Sequence, residues 1–366
     1  MVTSLETKAF PGSRGKSKSA LASARNLKRT GHRLEPAGRS NKKAKKPMAH
    51  NIETRNGRSS IVFAGETPWH RLGQKLDEAF DAQTALTEGG LDFTVEKVGL
   101  QTVDGHAVPN RFGLRRTDTK DVLGIVTDFY KPLQNREAFG FFDGVFGKGK
   151  ARYEVAGVLG KGEKVWLLAK LPGDFSVAGN DLVGKWLLLT NGHDTNEPVR
   201  ARFTPIRVVC QNTLSAALRG TESEVRIQHI GDVSGKLEIA GKLLKQAGVY
   251  FDEIQSVFQG FAKRQLTVKA VREYAARVIV GDAVSLDEMS GPAEKTVSRI
   301  QELHDTGLGS DNKKVRGTLW GAYNAVTEWD DHDKTTTDLK FMAQGRGAEI
   351  KQRAFAVAQE LAVGSN

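Results

Sequence analysis

The hydrophobic pattern of the chain changes near residue 231, and this change constrains the fold more than any other feature. Before it, short apolar stretches of strand length alternate with turns that contain Gly or Pro. After it, apolar side chains recur at intervals of three and four residues, as on the buried face of an α-helix. Nine of the ten prolines lie at or before Pro205, and proline is poorly tolerated inside helices. The pattern predicts an α+β fold, with an antiparallel sheet packed with helices and then a C-terminal helical domain.

Segments rich in β-branched and aromatic residues are typical of strands. We predict strands at residues 60–64, 93–100, 111–116, 122–126, 153–159, 165–171, 186–189 and 199–203. Residues 117–121 and 160–162 are predicted to form turns between neighbouring strands. Asn135 is predicted to cap a helix that carries three phenylalanines at helical spacing.

Thr204 and Pro205 are predicted to begin a helix that runs from Val208 to Leu218. Threonine is a common N-cap residue, and the φ angle of proline already suits the first helical position. Beyond residue 232, amphipathic helices are predicted at residues 237–261, 268–280, 296–303, 315–326 and 350–361. We therefore expect an α+β domain at residues 48–231 and a helical domain at residues 232–366.

The formal net charge of +11 is confined to the N-terminal segment. Residues 1–47 contain 13 Lys and Arg against 2 Asp and Glu, whereas the rest of the chain contains 41 of each kind. This segment has no sustained apolar period, so we expect it to be disordered. Its lysine run at residues 41–46 is predicted to attract phosphates without sequence preference. A second interpretation stays open, in which Met48 is the true start and residues 1–47 are an upstream extension.

Composition excludes several classes of protein. No apolar run reaches the roughly 18 residues of a membrane helix, and the N-terminus lacks the apolar region of a secretory signal. Cys210 is the one cysteine, so an intramolecular disulfide and a cysteine-based metal cluster are impossible. These features favour a protein of the reducing cytoplasm.

Two longer motifs connect the chain to a known family. Residues 201–214 (Ala-Arg-Phe-Thr-Pro-Ile-Arg-Val-Val-Cys-Gln-Asn-Thr-Leu) and 320–328 (Trp-Gly-Ala-Tyr-Asn-Ala-Val-Thr-Glu) resemble those of uncharacterised phage/plasmid-like proteins. Shorter similarities occur at residues 48–53, 65–70 and 191–194. The resemblance extends from Met48 to the C-terminal helix and implies a mobile-element protein in a bacterial host cell, but no established activity. The predicted fold is also similar, more distantly, to that of phage single-strand annealing proteins.

Arginines near the end of the predicted sheet form a candidate phosphate site. Arg200 and Arg202 lie on one face of a strand, because side chains alternate with a period of two. Arg207 falls in the first turn of the predicted helix, where free N–H groups and the positive end of the helix dipole favour a phosphate. The alternative is that these arginines form a solvated surface or pair with acids such as Glu197.

Basic and aromatic residues of the preceding hairpin extend this candidate site. Aromatic rings interleaved with cations suit single-stranded nucleic acid, since every base offers a π face. The favoured alternative is core packing of Trp166 and Tyr153. The predicted nucleic-acid-binding residues are Arg200, Arg202, Arg207, Gln211, Asn212, Lys150, Arg152, Lys161, Lys164 and Trp166.

The motifs for catalysis and metal binding are weak. Residues 191–194 (Asn-Gly-His-Asp) and 330–333 (Asp-Asp-His-Asp) hold neighbouring metal-ligand types, yet both stretches are typical of turns and adjacent residues rarely converge on one ion. Residues 147–150 (Gly-Lys-Gly-Lys) lack the spacing and the Ser or Thr of a P-loop. We therefore predict no catalytic residue, metal or cofactor.

These features predict a non-enzymatic DNA-binding protein of a phage or plasmid that acts in single-strand annealing or recombination. Its expected partner is single-stranded DNA, no membrane is involved, and a homo-oligomer is left open. Two alternatives remain. The neutral charge of residues 48–366 favours a protein-interaction factor of a mobile element, for example one that counters a host defence, and the third candidate is a metal-dependent nuclease.

Overall fold

The computed structural model describes residues 52–65, 72–146, 152–195, 197–207, 212–213, 224–232, 235, 241, 247–282, 286–333 and 346–364. The predicted basic tail at residues 1–47 and the start at Met48 lie outside these ranges. So do most of the predicted helix at residues 208–218, including Cys210, and most of residues 237–246.

The described chain forms three sheets and a set of helices. The strands are β1 (Thr54–Arg55), β2 (Arg58–Ser59), β3 (Ile61–Ala64), β4 (Gln74–Leu76), β5 (Val95–Gln101), β6 (Ala107–Arg116), β7 (Val122–Val126), β8 (Arg152–Leu159), β9 (Lys164–Lys170), β10 (Phe175–Val177), β11 (Asp181–Gly192), β12 (Val199–Arg207), β13 (Asn212–Thr213) and β14 (Glu224–Ile227). The α-helices are α1 (Ala82–Glu88), α2 (Asn135–Phe146), α3 (Ala247–Lys263), α4 (Val268–Val280), α5 (Gly291–Thr306), α6 (Leu319–Glu328) and α7 (Arg346–Val363). A short 3₁₀-helix at Leu286–Glu288 and a π-helix at Trp329–Asp333 complete the helical part.

The largest sheet has nine strands. Its main path runs β13-β12-β11-β9-β8-β3-β4, while β10 pairs with β11 and β14 pairs with β12. All of these pairs are antiparallel except the parallel pair of β3 and β4. A separate antiparallel sheet has the order β5-β6-β7, and β1 and β2 pair alone. The predicted α+β class, with an antiparallel sheet and C-terminal helices, is confirmed.

Helix α3 packs against one face of the large sheet through aromatic side chains. Phe203 of β12 stacks on Tyr250 with ring centroids 5.4 Å apart, and Phe175 of β10 stacks on Phe258 at 6.4 Å. The buried apolar cluster continues from these rings into α6 and α7, where Trp320 lies 4.7 Å from Phe258. A single core therefore joins the sheet to the C-terminal helices, while the proposed domain boundary at residues 231 and 232 stays a prediction.

The prediction that a helix begins at Thr204 and Pro205 is wrong, because β12 continues as a strand through Arg207. Pro205 is the register partner of Lys185 in β11. The Lys185 carbonyl accepts a hydrogen bond from Leu171 N (2.8 Å) and so points away from β12. The proline nitrogen therefore faces the other edge of β12, in the gap between the residues paired with β14 and with β13. A strand tolerates proline at such an unpaired position, since no ladder hydrogen bond is lost.

Most of the other predicted elements are confirmed, with differences at their ends. Helix α4 spans the predicted residues, and the Thr267 side chain accepts a hydrogen bond from Ala270 N at its start. Helix α6 begins at Leu319 rather than at residue 315, because the Thr318 hydroxyl caps it. Asn135 begins α2, but its side-chain amide donates to the Leu91 carbonyl at 2.9 Å.

The strands at the described N-terminal end close over a buried arginine. Glu53 Oε1 lies 2.6 Å from Arg116 Nη1, and the Arg116 side chain is fully buried. The guanidinium carbon of Arg116 lies 3.7 Å from the ring centroid of Phe93, and Asp118 provides a second carboxylate at 2.9 Å. Glu53 thus neutralises a cation that water cannot reach.

We expect Glu53→Gln to lower the free energy of unfolding by about 2 kcal/mol, because it leaves Arg116 with one half-exposed carboxylate. Urea denaturation measures this change. The control is Asp92→Asn, which removes an ion pair with the exposed Arg136 and should cost less than about 0.5 kcal/mol. Equal losses in the two variants would contradict the argument.

Candidate nucleic-acid interface

One face of the large sheet carries several of the candidate binding residues. In antiparallel pairing, residues directly opposite each other place their side chains on the same face. The residues of β9, β11 and β12 that share this face alternate with the apolar residues that pack towards α3. We call this surface the outer face. Its described members on these strands include Lys164, Trp166, Leu168, Lys170, Trp186, Leu188, Thr190, Arg200, Arg202, Thr204 and Ile206.

Arg200 and Arg202 both reach the outer face, as the strand period predicts. Arg202 donates to Glu224 Oε2 from Nε (3.0 Å) and Nη2 (2.6 Å), and Arg200 Nη1 donates to Glu224 Oε1 at 2.8 Å. Arg200 Nε also lies 3.2 Å from Glu197 Oε2. The arginine side chains keep 20% and 23% of their surface exposed. They are ion-paired, as the alternative proposed, and their binding role stays a prediction.

Sequence reasoning missed two residues of β14. The register places Glu224 opposite Arg202, and Arg226 opposite Arg200. Arg226 Nε donates to Glu224 Oε1 at 2.6 Å, and its side chain is 62% exposed. Burial acts to raise the pKa of Glu224, but the hydrogen bond from Arg226 and the charges of Arg202 and Arg200 lower it to about 2. The signal was available, because residues 224–226 (Glu-Val-Arg) show the same period of two.

Lys164 joins this group at the start of β9. Its Nζ lies 3.2 Å from Glu197 Oε1, and its side chain is buried. The group therefore holds four cations and two carboxylates, an excess of two positive charges. We call it the arginine cluster, and its members are Lys164, Glu197, Arg200, Arg202, Glu224 and Arg226.

The other residues predicted in the hairpin of β8 and β9 lie outside the arginine cluster. Trp166 is half-buried and packs with Ile61, and a Cβ atom added to Gly157 would come within 3.1 Å of its Nε1. Tyr153 is buried, so its predicted core packing is confirmed. Lys161 Nζ lies 3.5 Å from Asp121 Oδ1, which connects Lys161 to the three-stranded sheet.

A second aromatic residue on the outer face also went unpredicted. The Trp186 ring is half-buried and lies over Gly184, where an added Cβ would come within 2.6 Å of the indole nitrogen. Lys170 Nζ lies 5.6 Å from the ring centroid and 3.5 Å from Asp174 Oδ2. A ring beside a cation is the combination that stacks a base and contacts a phosphate.

Arg207 lies on the opposite side of β12, within the core. Its Nε donates to both oxygens of Asp181 at 2.9 and 3.0 Å, and its Nη1 donates to the Leu308 carbonyl at 2.9 Å. The Trp320 indole donates to the same carboxylate at 2.6 Å. Arg207 keeps only 1% of its surface exposed. Its predicted position at a helix start is wrong, and its burial removes it from the candidate interface.

The other predicted residues are described in part or not at all. Lys150 and Gln211 lie outside the described residues. For Arg152 and Asn212 the backbone alone is described. Arg152 is the register partner of Lys170, at the end of a row on the outer face, and Asn212 pairs with Arg207.

A family model described as a domain of unknown function (DUF932) matches residues 122–355, which is more than half of the chain. The chain belongs to the DUF932 family. The matched range begins with β7, ends within α7 and includes the strands that form the outer face. No curated protein and no solved structure matches the chain.

In this DUF932 member, the stretch at residues 191–194, which holds neighbouring metal-ligand residue types, contributes to a buried polar group. Asn191 Nδ2 donates to Asn135 Oδ1 at 3.0 Å, and His193 Nε2 lies 2.8 Å from the same oxygen. His193 is fully buried. Burial, with the charges of His229 and Arg116, lowers the pKa of His193 to about 3. His193 is therefore neutral at pH 7 and donates its Nε2 proton to Asn135.

His229 lies beside this group and is also neutral. Its ring stacks on Tyr130 with centroids 4.9 Å apart, and the residue is 4% exposed. Burial lowers the pKa of His229 to about 4, against the opposing effect of the backbone of Lys131 and Gly192. Because burial lowers the pKa of both histidines in the folded chain, we expect the stability of this chain to fall in acid.

The acidic stretch at residues 330–333 lies in the π-helix rather than in the predicted turn. Asp331 is buried in an ion pair with the buried Lys351, while Asp333 pairs with Arg299. Burial raises the pKa of Asp331 despite the charge of Lys351. Across the described ranges, no group of three or more His, Cys, Asp or Glu is placed to hold a metal ion. Among the described helices, none has the length and apolar character needed to cross a membrane.

Proposed function

We propose that this DUF932 protein is a non-enzymatic DNA-binding protein of a phage or plasmid, and that it binds single-stranded DNA on the outer face during annealing or recombination. The observation that carries the proposal is the presence of the arginine cluster and the Trp186–Lys170 pair on one sheet face. The mobile-element origin rests on the motif resemblance at residues 201–214 and 320–328.

The spacing of these features suits a short single strand. Arg200 is the register partner of Thr190 in β11, and Thr190 lies four residues along that strand from Trp186. The two features are therefore about 13 Å apart. At about 3.4 Å per stacked nucleotide, a segment of about four nucleotides covers both. Stacking on Trp186 requires an unpaired base, which favours single-stranded over duplex DNA.

We expect Trp186→Leu in the full chain to weaken binding of a labelled oligo(dT) about tenfold, because it removes a stacking surface. Lys170→Ala should lower the slope of log affinity against log salt by about 0.7, the effect of one lost phosphate contact on a single strand. Fluorescence anisotropy across a salt series measures both changes. Melting temperatures show whether each variant is folded.

The three-stranded sheet provides a matched control pair. Lys97 Nζ lies 5.1 Å from the ring centroid of Phe112 and 3.5 Å from Asp128 Oδ1, which repeats the geometry of Lys170. Lys97→Ala and Phe112→Leu should leave oligo(dT) affinity unchanged. The basic N-terminal segment is common to all variants, so it cannot produce a difference between the pairs. If the outer-face variants and the control variants change oligo(dT) affinity equally, or if neither pair changes it, the outer face is not the DNA site.

A protein-binding function is the second candidate. The observation that favours it is the exposure of two apolar side chains on β7, where Val122 is 50% and Ile125 is 60% exposed. Apolar side chains that are exposed together on one sheet can contribute to a protein interaction surface. This candidate takes precedence if the outer-face variants bind DNA as tightly as the unaltered chain.

A further inference from the structure

We infer that the arginine cluster is a binding site for a phosphate or phosphodiester group, and that Glu224 limits its affinity by occupying the same guanidinium groups. The inference rests on the proposed function for its biological ligand, a DNA strand. Its structural basis is independent of that ligand. The side chains of Arg200, Arg202 and Arg226 all donate to the single carboxylate of Glu224, at 2.6 to 3.0 Å.

Charge is the first argument for an anion. The cluster sets four cations, Lys164, Arg200, Arg202 and Arg226, against the two carboxylates of Glu197 and Glu224. The cluster keeps an excess of two positive charges in a half-buried setting, where attraction for an anion is stronger than in water. Guanidinium groups match phosphate oxygens as they match carboxylate oxygens, through charge-assisted hydrogen bonds.

Access is the second argument. Arg226 is 62% exposed, whereas Arg200 and Arg202 are 20% and 23% exposed. An anion can therefore approach from the side of Arg226. The other two arginines stand on β12, which is paired with β11 on one edge and β14 on the other. Their positions are set by the sheet before the ligand arrives, which lowers the entropic cost of binding.

The test compares Glu224→Gln with the unaltered full chain, using inorganic phosphate and oligo(dT) as separate probes. Removing the competing charge should raise the affinity for phosphate about tenfold, and the affinity for oligo(dT) in the same direction. Arg226→Ala should weaken phosphate binding, because it removes the exposed guanidinium. Titration calorimetry and anisotropy at constant salt measure the two affinities.

A matched cross-strand pair serves as the control. Arg115 donates to Glu96 from Nε (3.1 Å) and Nη2 (2.8 Å) across β5 and β6, in the same register relation as Arg202 and Glu224. Glu96→Gln should leave phosphate affinity unchanged. Unchanged phosphate affinity in folded Glu224→Gln would overturn the inference. If Glu224→Gln does not fold, Arg226→Ala decides, since unchanged phosphate affinity in that variant also overturns it.

The two probes separate this inference from the proposed function. A tenfold gain in phosphate affinity supports the anion site even if Trp186→Leu leaves oligo(dT) binding unchanged, in which case the proposed DNA function fails. A loss of oligo(dT) affinity in Trp186→Leu, with no phosphate response in Glu224→Gln, supports the DNA function and overturns the anion site.

Discussion

Asp181→Asn is expected to lower the free energy of unfolding by about 3 to 5 kcal/mol, the largest effect predicted for a single substitution in this chain. Asp181 accepts hydrogen bonds from Arg207 and from the Trp320 indole, and it provides the charge that neutralises a guanidinium with 1% exposure. An asparagine keeps the shape but removes the negative charge of the Asp181 carboxylate from beside this buried cation. Urea denaturation measures the loss.

Two further variants sharpen this prediction. Asp282→Asn removes an exposed carboxylate from its pair with Arg277 and should change stability by less than about 0.5 kcal/mol. Adding Arg207→Met to Asp181→Asn should restore much of the lost stability, because a buried apolar side chain needs no counter-charge. A loss in Asp181→Asn as small as that in Asp282→Asn would show that the buried pair contributes little.

Lowering the pH from 8 to 5 is expected to reduce the free energy of unfolding by about 4 kcal/mol through His193 and His229. Their pKa values fall from the ordinary 6.5 to about 3 and about 4 in the folded chain, chiefly because of burial. Below about pH 6.5 the two histidines bind protons in the unfolded chain but stay neutral in the folded chain. The free energy of unfolding therefore falls as the pH is lowered. Each histidine contributes about 1.4 kcal/mol per pH unit until its folded pKa is reached.

The double variant His193→Gln, His229→Gln should remove this dependence of the free energy of unfolding on pH, since neither glutamine titrates. His106, whose side chain is 80% exposed, provides the control, and His106→Gln should leave the pH dependence unchanged. Chemical denaturation at half-unit pH steps between 8 and 5 avoids the range in which ordinary carboxylates titrate. An unchanged slope in the double variant would show that other groups cause the acid sensitivity.

The position of side chains within an element was predictable from the sequence alone. The period of two along β12 placed Arg200 and Arg202 on one face, and the helical spacing at residues 268–280 located α4. These predictions succeed because the backbone geometry of one segment determines which side chains share a face. The same rule applied to residues 224–226 would have placed Glu224 and Arg226 together.

The local helix signal at Thr204 and Pro205 failed for a different reason. An N-cap threonine and a proline favour a helix start in isolation, but β11 offers a complete pairing edge to residues 200–207. Backbone pairing along that edge outweighs a local preference of about 1 kcal/mol. The partner strand cannot be identified from the segment itself.

The sequence by itself determined the α+β class, most strand and helix positions, and the shared face of Arg200 and Arg202, because hydrophobic period and turn residues act locally. Only the tertiary structure decided which charges meet. Arg207 is paired with Asp181, 26 residues earlier in the chain, and Trp320 reaches the same carboxylate from 139 residues away. Such partners follow from how sheet and helices pack, and that packing separates the buried Arg207–Asp181 pair from the partly exposed arginines of the outer face.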